Sequence, residues 1–437
     1  MNFIRNITNG LLLALVANTG HSQSCAQIPS IQPPATAVPV SAYGATPDDF
    51  TDDTLAIQRA LDAGGDVVFT PGVYLTSRQV RVRRANTRLF GVGATLHATN
   101  PESQSINIEA DNSGVYGLQF TAVTNTRKTA PWHTRISVYK EVSGVIQVVR
   151  NTTIVGNVIA PTVGALAPYG NSSSGGGIIL LRAEGFLVAN NTVSRTLADG
   201  IHVTAGSKDG LVIGNKVRET GDDMIAAVSY ALGGPAAFNN AGMLIGIQVL
   251  KQTRLVQNVL ITDNDVSSNY WGRGISVVGG QDITIQRNKI DNVPTGAGVI
   301  LAREANYQTF GVQNVLVKDN IVSRIQTHRS AYDPDGTFAT RGRSGHGAYE
   351  VHASMFEDEV SSVIRSELAV SNIAFTGNTL TSSAVLAART GVAFKNTVTA
   401  TRPEDGLTVS RNIVTGDVVN VNFGSTNGVT GSRIVCP

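Results

Sequence analysis

Short apolar segments separated by turns fill most of this chain. Leu211-Val212-Ile213, Ile283-Thr284-Ile285 and Val315-Leu316-Val317 are typical, and each is followed within three residues by an asparagine. Runs of β-branched residues bounded by turn formers predict strands. These strands are too short and too frequent for alternating strand–helix units. The pattern therefore indicates an all-β protein.

One asparagine marks each repeat of this pattern, with Val, Ile or Leu two positions later. The instances are Asn157, Asn191, Asn215, Asn264, Asn288, Asn320, Asn378 and Asn412, and two of the gaps are 24 residues. A period in the twenties predicts a solenoid, with longer gaps as inserted loops. Asparagine tolerates left-handed backbone and can bond to the asparagines above and below, so these residues are predicted to be structural. The consensus of leucine-rich repeats is absent.

A single helix is predicted before the strands. Asp52, Asp53 and Thr54 can cap its start, and Gly64-Gly65 ends it. Apolar residues recur between these limits at Leu55, Ile57, Ala60 and Leu61. A helix in this place would cover the open end of a strand stack.

The segment VSAYGATPDDFTDDTLAIQRALDAGGDVVFTPGVYLTS closely resembles the N-terminal signature of the pectate-lyase-like superfamily. The resemblance implies a right-handed parallel β-helix with a short N-terminal capping helix. Residues 41–437 would form one domain, in which 41–80 are the capping segment and about 81–437 the coils, each coil being one turn of the solenoid. A proline-rich linker, 25–40, would precede it.

The first 24 residues have the features of a signal peptide. Arg5 is followed by the apolar run Leu11–Val16, and Ser22-Gln23-Ser24 supplies small residues for cleavage. A secreted or periplasmic protein is expected, without a membrane span because the run is too short. In an oxidising compartment Cys25 and Cys436 can pair only if a tail runs back along the solenoid.

Charge narrows the class of partner. The 34 Lys and Arg nearly balance the 32 Asp and Glu, giving a formal net charge of +2. A nucleic-acid binder would need a basic stripe for the phosphates, so nucleic acid is not an expected partner. A local cationic groove for an acidic glycan remains compatible with this balance.

A second recurring position carries the candidate chemistry. The coils align as Asp199-Gly200-Ile201, Asp223-Met224-Ile225, Arg273-Gly274-Ile275, Ala297-Gly298-Val299 and His346-Gly347-Ala348. Equal offsets in successive coils predict one vertical column of side chains, about 4.8 Å apart. Asp222 would lie beside Asp223. Closely spaced carboxyl groups divide into acid and base, as glycoside hydrolysis requires.

These motifs resemble the polygalacturonase family of glycoside hydrolases. Gly221-Asp222-Asp223 matches the family's aspartate pair, and Ala198-Asp199-Gly200 stands at its first motif without the Asn and Thr. The resemblance implies that Asp222 is the general acid and that Asp199 and Asp223 activate an inverting water. Arg273 stands where the family has His, Gly345-His346-Gly347 comes later, and Arg303 lies near the place of an absent Arg-Ile-Lys motif.

Two other functions stay open. In a polysaccharide lyase, Asp199, Asp222 and Asp223 would bind Ca²⁺ and Arg273 would be the base. A C5-epimerase would use similar groups. The chain would otherwise be a non-catalytic carbohydrate-binding β-helix. The hydrolase is the preferred hypothesis, with an acidic glycan or an exopolysaccharide as substrate and no cofactor.

Substrate contacts are predicted around Arg273. Trp271 and Tyr270 would stack on sugar rings, since the ring faces are apolar. Arg303 and His346 are further candidates for substrate binding. His202 is predicted to be a packed or outward side chain without a role in catalysis.

Overall fold

The computed structural model describes residues 27–100, 102–122, 133–161, 175–230, 255–304, 307, 309–327, 346–353, 370–381, 392–396, 408–410 and 413–415. The predicted signal peptide, Cys25, Cys436 and Asn412 lie outside these residues. No helix in the described ranges is long and apolar enough to cross a membrane.

Three parallel sheets run the length of the described chain, and each coil adds one strand to each of them in turn. Sheet 1 contains Val38–Pro39, Asp66–Val68, Arg88–Phe90, Gly114–Tyr116, Thr153–Val155, Leu187–Ala189, Lys208–Ile213, Gln257–Thr262, Gly280–Gln286, Val312–Lys318, Ser371–Thr376 and Thr408–Ser410, with Val149–Arg150 and Ala183–Glu184 beside them. Sheet 2 contains Gly72–Thr76, Ala94–Ala98, Gln119–Ala122, Val158–Pro161, Thr192–Ser194, Lys216–Arg218, Asp265–Ser267, Lys289–Val293, Ile321–Ile325, Thr379–Thr381 and Ile413–Thr415.

Sheet 3 completes each coil. It contains Val80–Val82, Ile106–Ile108, Thr134–Val138, Gly176–Leu181, Ile201–Thr204, Ile225–Val228, Ile275–Val278, Val299–Arg303, Tyr349–Ala353 and Val392–Asn396. Alternate residues of its strands, such as Ile201 and Val203, join one continuous interior core that extends from Val40 to Leu380. The predicted parallel β-helix is thereby confirmed.

The capping helix spans Thr54–Ala63. Ile57 and Leu61 are fully buried against the first coil, whereas Leu55, counted with the apolar face in the sequence, is 58% exposed. Asp52 Oδ1 accepts the Thr54 N–H at 3.0 Å, and Gly64 ends the helix with φ = 77°. The helix is preceded by a 3-10 turn at Val40–Tyr43.

The predicted asparagine ladder is present from Asn157 to Asn378. From Asn191 to Asn378, each side-chain oxygen accepts two bonds from the preceding asparagine, such as those from the Asn215 backbone N–H and Nδ2 to Asn264 Oδ1, both at 2.9 Å. Asn157 Oδ1 accepts the Leu118 backbone N–H at 3.1 Å. Each Nδ2 also donates to a carbonyl of a neighbouring coil. Buried amide groups are satisfied in this way, and the ladder fixes the register of the coils.

An antiparallel hairpin, Lys140–Val142 with Val145–Gln147, leaves sheet 3 after its third strand. Its Ile146 is buried against the outward side chains of Ile179 and Leu181. Part of the outer face of sheet 3 is therefore covered by the hairpin, and the candidate site lies beyond it, starting at the next strand, Ile201–Thr204.

Candidate active site

The strand register of sheet 3 brings the predicted column together. Ile201 pairs with Ile225, and Ile225 pairs with Ile275. Asp199, Asp223 and Arg273 stand two residues before these strand positions, so they occupy one column on successive coils. The predicted alignment of these three residues is confirmed.

The predicted position of His346 is wrong by one residue. Val299 pairs with Tyr349, so Gly347 and not His346 stands in the column. Tyr349 and Val351 are buried in the interior, and this alternation fixes the register of the strand. A slip of one residue would have turned both apolar side chains to the outer face.

Asp199 is anchored on two sides. Its Oδ1 accepts the backbone N–H of Asp223 at 3.1 Å, and its Oδ2 lies 2.9 Å from His202 Nδ1. Burial lowers the pKa of His202, but the carboxylates of Asp199, Asp223 and Asp222 outweigh burial and raise it above its ordinary value. His202 is therefore outward, as predicted, and it is also part of the site, which the sequence analysis missed.

Asp223 is the most enclosed of the three aspartates, at 4% exposure. Its Oδ1 accepts the backbone N–H of Arg273 at 2.7 Å, and its Oδ2 accepts the Ser276 hydroxyl at 2.6 Å. The Arg273 guanidinium also lies 3.4 Å from Oδ2. These contacts from the next coil hold the carboxylate in one orientation.

Asp222 sits at the turn before Asp223. Oxygens of Asp199, Asp222 and Asp223 lie within 4.8 Å of one another. Gly272 from the next coil packs on Asp222, and a β-carbon built on it would lie 2.5 Å from Asp222 Oδ1. Only glycine lets the backbone approach this closely, and its φ of +83° also favours glycine.

Arg273 lies between two carboxylates. Besides Asp223, its guanidinium makes a close ion pair with Glu304, a residue that the sequence analysis did not single out. Burial lowers the pKa of Arg273, but Asp223, Glu304 and Asp222 raise it well above its ordinary value. The side chain therefore remains a cation whose charge is already compensated.

Glu304 follows the strand Val299–Arg303 and is largely enclosed. Burial raises the pKa of its carboxyl, Arg273 opposes this shift, and Asp223 adds to it. The Glu304 backbone N–H donates to Thr309 Oγ1 at 2.9 Å, which fixes the turn that presents the side chain. In the sequence, Glu304 was indicated only by its position directly after a strand on the coil that follows Arg273.

The polar surface continues one coil further. Glu350 is fully buried, and its Oε2 accepts bonds from His346 Nδ1 at 2.8 Å and from the Gly347 N–H at 3.0 Å. His352 Nδ1 is 3.6 Å from the other oxygen. His346 is thus at the edge of the site, and its contact with substrate stays a prediction.

The other predicted substrate contacts separate into exposed and enclosed groups. Trp271 is 39% exposed and is available for stacking. Tyr270 is only 4% exposed, so its ring is closed to a sugar. Arg303 is 1% exposed, and its Nε donates to the Thr309 carbonyl at 3.1 Å. Strand alternation turns Arg303 to the interior side shared by Leu301, so its assignment to substrate binding is wrong.

The lyase hypothesis places Ca²⁺ at Asp199, Asp222 and Asp223. Their spacing would suit a shared cation. Protein donors, however, already occupy both oxygens of Asp199 and of Asp223, and one of those donors is the cationic Arg273. A second cation at the same oxygens would be repelled, so this donor set does not fit Ca²⁺.

A sequence model of the family described as rhamnogalacturonase A/epimerase, pectate lyase-like, matches residues 37–298, more than half of the chain. No curated protein matches the sequence.

Solved structures show the same fold. The catalytic domain of a GH87 alpha-1,3-glucanase in complex with nigerose has a TM-score of 0.58 and 15% identity, covering 89% of this chain and 59% of that one. The A-module of a mannuronan C-5 epimerase from Azotobacter vinelandii has a TM-score of 0.55 and 17% identity, covering 91% and 99%. The Dettilon tailspike protein has a TM-score of 0.50 and 14% identity, covering 83% and 68%. The chain spans about 60% of the length of the glucanase domain.

Proposed function

Because the chain belongs to the rhamnogalacturonase A/epimerase, pectate lyase-like family, we propose that it is an enzyme that acts on a polysaccharide. We propose further that it is a glycoside hydrolase and that Asp199, Asp222 and Asp223 are its catalytic residues. The observation that carries this proposal is the grouping of three carboxylates from two coils, with oxygens within 4.8 Å.

The roles of the aspartates follow from their surroundings. Asp199 and Asp223 are held by donors that orient their oxygens, which suits them to accept protons from an attacking water. Asp222, at the turn beside them, would protonate the oxygen of the leaving sugar. This division agrees with the roles implied by the polygalacturonase resemblance.

The spacing of the aspartates supports the proposal. Structures of the similar glucanase with bound sugars carry single aspartate-to-alanine substitutions at three positions, two of them adjacent and the third 23 residues earlier. Asp199 precedes the adjacent pair Asp222 and Asp223 by the same interval. At 14–15% identity, the structural similarity to the glucanase shows only the shared fold. The equal spacing of the aspartates in the two chains is a separate observation in favour of the proposal.

Elimination is less compatible with the site. Arg273 would have to lose a proton before it could act as a base, and its carboxylate neighbours raise its pKa. The Ca²⁺ that would neutralise a uronate carboxylate does not fit the donor set either.

C5 epimerisation is the second candidate. His202 is paired with Asp199, and the charge of the same carboxylate acts on Tyr230. Burial raises the pKa of Tyr230, and Asp199, Tyr307 and Glu304 add to the shift, so its hydroxyl stays protonated; His202 or Tyr230 would first have to lose a proton to act as the base of an epimerase. This candidate requires a uronate substrate.

A product assay tests the proposal. The protein is incubated with neutral and acidic polysaccharides, with and without chelator, and both reducing ends and the ultraviolet absorbance of unsaturated sugars are followed. We expect new reducing ends, no unsaturated product and no effect of the chelator. Chelator-sensitive absorbance would support the lyase, and unchanged chain length with altered C5 configuration would support the epimerase.

Substitutions assign the activity to the site. Asp222→Asn and Asp223→Asn should each lower the rate by about 10²–10⁴-fold, the usual contribution of a positioned acid or base. Asp209→Asn is the matched control, because Asp209 lies in the strand Lys208–Ile213 of sheet 1 with φ = 56°, a conformation that asparagine also tolerates. Full activity in both site variants would reject the assignment.

A further inference from the structure

Resting on the proposed hydrolysis, we infer that the sugar bound at the aspartates is uncharged and that a uronate is rejected there. The balance of charge on this face of sheet 3 would exclude a uronate. Asp199, Asp222, Asp223, Glu304 and Glu350 place five carboxyl groups in or beside the strands from Ile201–Thr204 to Tyr349–Ala353.

The arginines of the same face are committed to protein acceptors. From residue 175 to 353, the described strands of sheet 3 and the residues adjoining them contain Arg182, Arg273 and Arg303. Arg182 Nη1 donates to the Ile146 carbonyl of the hairpin at 2.5 Å. Arg303 is buried in the interior. Of the arginines in these described segments, Arg273 alone faces the aspartates, and Asp223 and Glu304 flank it.

The histidines do not supply the missing positive charge. His202 is paired with Asp199, and His346 and His352 both face the buried Glu350. A uronate carboxylate entering this site would meet carboxyl groups whose cationic partners are already engaged. Neighbouring carboxylates repel one another strongly where water is excluded.

A neutral sugar fits the same surface well. Its hydroxyl groups donate hydrogen bonds, and the carboxylate oxygens of the site accept them. The exposed face of Trp271 can stack on the apolar face of the ring. The site therefore offers acceptors and an aromatic surface, which is the combination that an uncharged hexose requires.

The test compares binding, so that it does not depend on hydrolysis. The Asp222→Asn variant is titrated with nigerotetraose and other neutral tetrasaccharides, and with tetragalacturonate and tetramannuronate, at low salt. The tightest neutral ligand should bind about 100-fold more tightly than either uronate, because carboxylate repulsion of this kind is large at low ionic strength. A uronate that binds as tightly as the neutral sugars, or a failure of all neutral ligands to bind, would overturn the inference.

Glu304→Gln supplies an independent arm. The substitution leaves Arg273 with one carboxylate partner, so the guanidinium becomes available to a uronate. The ratio of the affinities for the neutral and the uronate tetrasaccharides should therefore fall to about 10-fold. Glu219→Gln is the control, because it breaks a comparable pair with Arg195, at 2.6 Å, outside the column. A preference that Glu304→Gln leaves unchanged would contradict the role given to Arg273.

The two proposals fail differently. If reducing ends appear at the wild-type rate in Asp222→Asn and Asp223→Asn, the proposed catalytic function is wrong whatever the binding preference. If those variants are inactive and polyuronates are the substrates that the wild type cleaves best, the hydrolase stands and the neutral substrate is wrong.

Discussion

Individual residues of the site are linked from one coil to the next by a repeated contact. Asp199 Oδ1 accepts the backbone N–H of Asp223, and Asp223 Oδ1 accepts the backbone N–H of Arg273. Each carboxylate is therefore oriented by the backbone of the following coil. Because sheet hydrogen bonds hold that backbone, the geometry of the proposed catalytic site is set before a substrate arrives.

His202 gives this arrangement a pH dependence. Its raised folded-state pKa means that protonated His202 stabilises the folded protein through Asp199. The contribution is complete below the ordinary value of 6.5 and is lost as pH rises through the higher folded-state pKa. The melting temperature of wild type minus that of His202→Gln should therefore be largest in mild acid and shrink at alkaline pH.

A second histidine serves as the control for this measurement. Burial lowers the pKa of His97, which lies on sheet 2 away from the aspartates, and Arg135 adds to the shift. Its contribution is present above the ordinary value and is lost as pH falls, so His97→Gln should show the opposite trend. The same trend in both variants would contradict the pairing of His202 with Asp199.

Gly272 tests the positioning of Asp222. A β-carbon at this residue would lie 2.5 Å from Asp222 Oδ1 and 2.7 Å from the Asp223 backbone nitrogen. Gly272→Ala should therefore displace the aspartate pair and lower the rate of hydrolysis by at least about 10-fold, since small misplacements are costly in catalysis. Steady-state kinetics on the folded variant measure the loss.

Gly144→Ala is matched to this variant in backbone conformation. Gly144 has φ = 77°, and a β-carbon added there would have no atom within 4 Å, so alanine adds conformational strain without a clash. The activity of this variant should stay near that of the wild type, with a stability cost of about 1 kcal/mol. Equal losses of activity in the two variants would show that strain, and not contact with Asp222, is responsible.

The sequence predicted those site residues that repeat at the coil spacing. Asp199, Asp223 and Arg273 share one offset, and Asp222 adjoins one of them. Glu304 and His202 occupy other positions in the coil, so no repeat draws attention to them. Their roles arise from contacts with side chains, and these contacts depend on the direction in which each residue points.

The asparagine ladder joins successive coils through buried hydrogen bonds. The asparagine ladder predicts a clear stability effect, because Asn264 accepts from Asn215 and donates to Asn288 Oδ1 and the Val212 carbonyl, at 2.9–3.0 Å. Asn264→Ala would leave a buried N–H of Asn215 without its acceptor and should cost about 2–4 kcal/mol. Denaturant unfolding followed by circular dichroism measures this cost.

The exposed Asn100 is the matched control for the ladder. Its side chain accepts a bond from the Glu102 N–H at 3.2 Å at the surface, where water can replace it. Asn100→Ala should therefore shift the unfolding free energy by less than about 1 kcal/mol. Comparable losses in the two variants would contradict the structural role of the ladder.

The repeat pattern predicted the wrong register for one strand, Tyr349–Ala353. The coil spacing aligned residues up to Ala297, but a long insertion separates that coil from the next. Gly347 and Ala348 are small residues, and the motif fits either of two registers. The burial of Tyr349 and Val351 in the core selects the register that moves His346 out of the column.

The described part of the molecule is a capped stack of coils, with the candidate site on the outer face of sheet 3. Its fold followed from the sequence because each coil repeats the same strands, turns and asparagine, and repeats contact only their neighbours. The sequence did not show whether Arg273 is a base or a cation paired with carboxylates. This distinction depends on Glu304, 31 residues further along the chain. The charge balance of the face is a property of several coils together.

Isotope labelling of the product distinguishes hydrolysis at the three aspartates from elimination. The wild-type protein is incubated in ¹⁸O-water with the polysaccharide that it cleaves fastest, whether neutral or acidic, and the products are analysed by mass spectrometry. Hydrolysis by Asp199, Asp222 and Asp223 predicts one solvent oxygen in each newly formed reducing end and no product in Asp222→Asn. An unsaturated product that lacks solvent oxygen, or a labelled product formed at the wild-type rate by Asp222→Asn, would contradict the account.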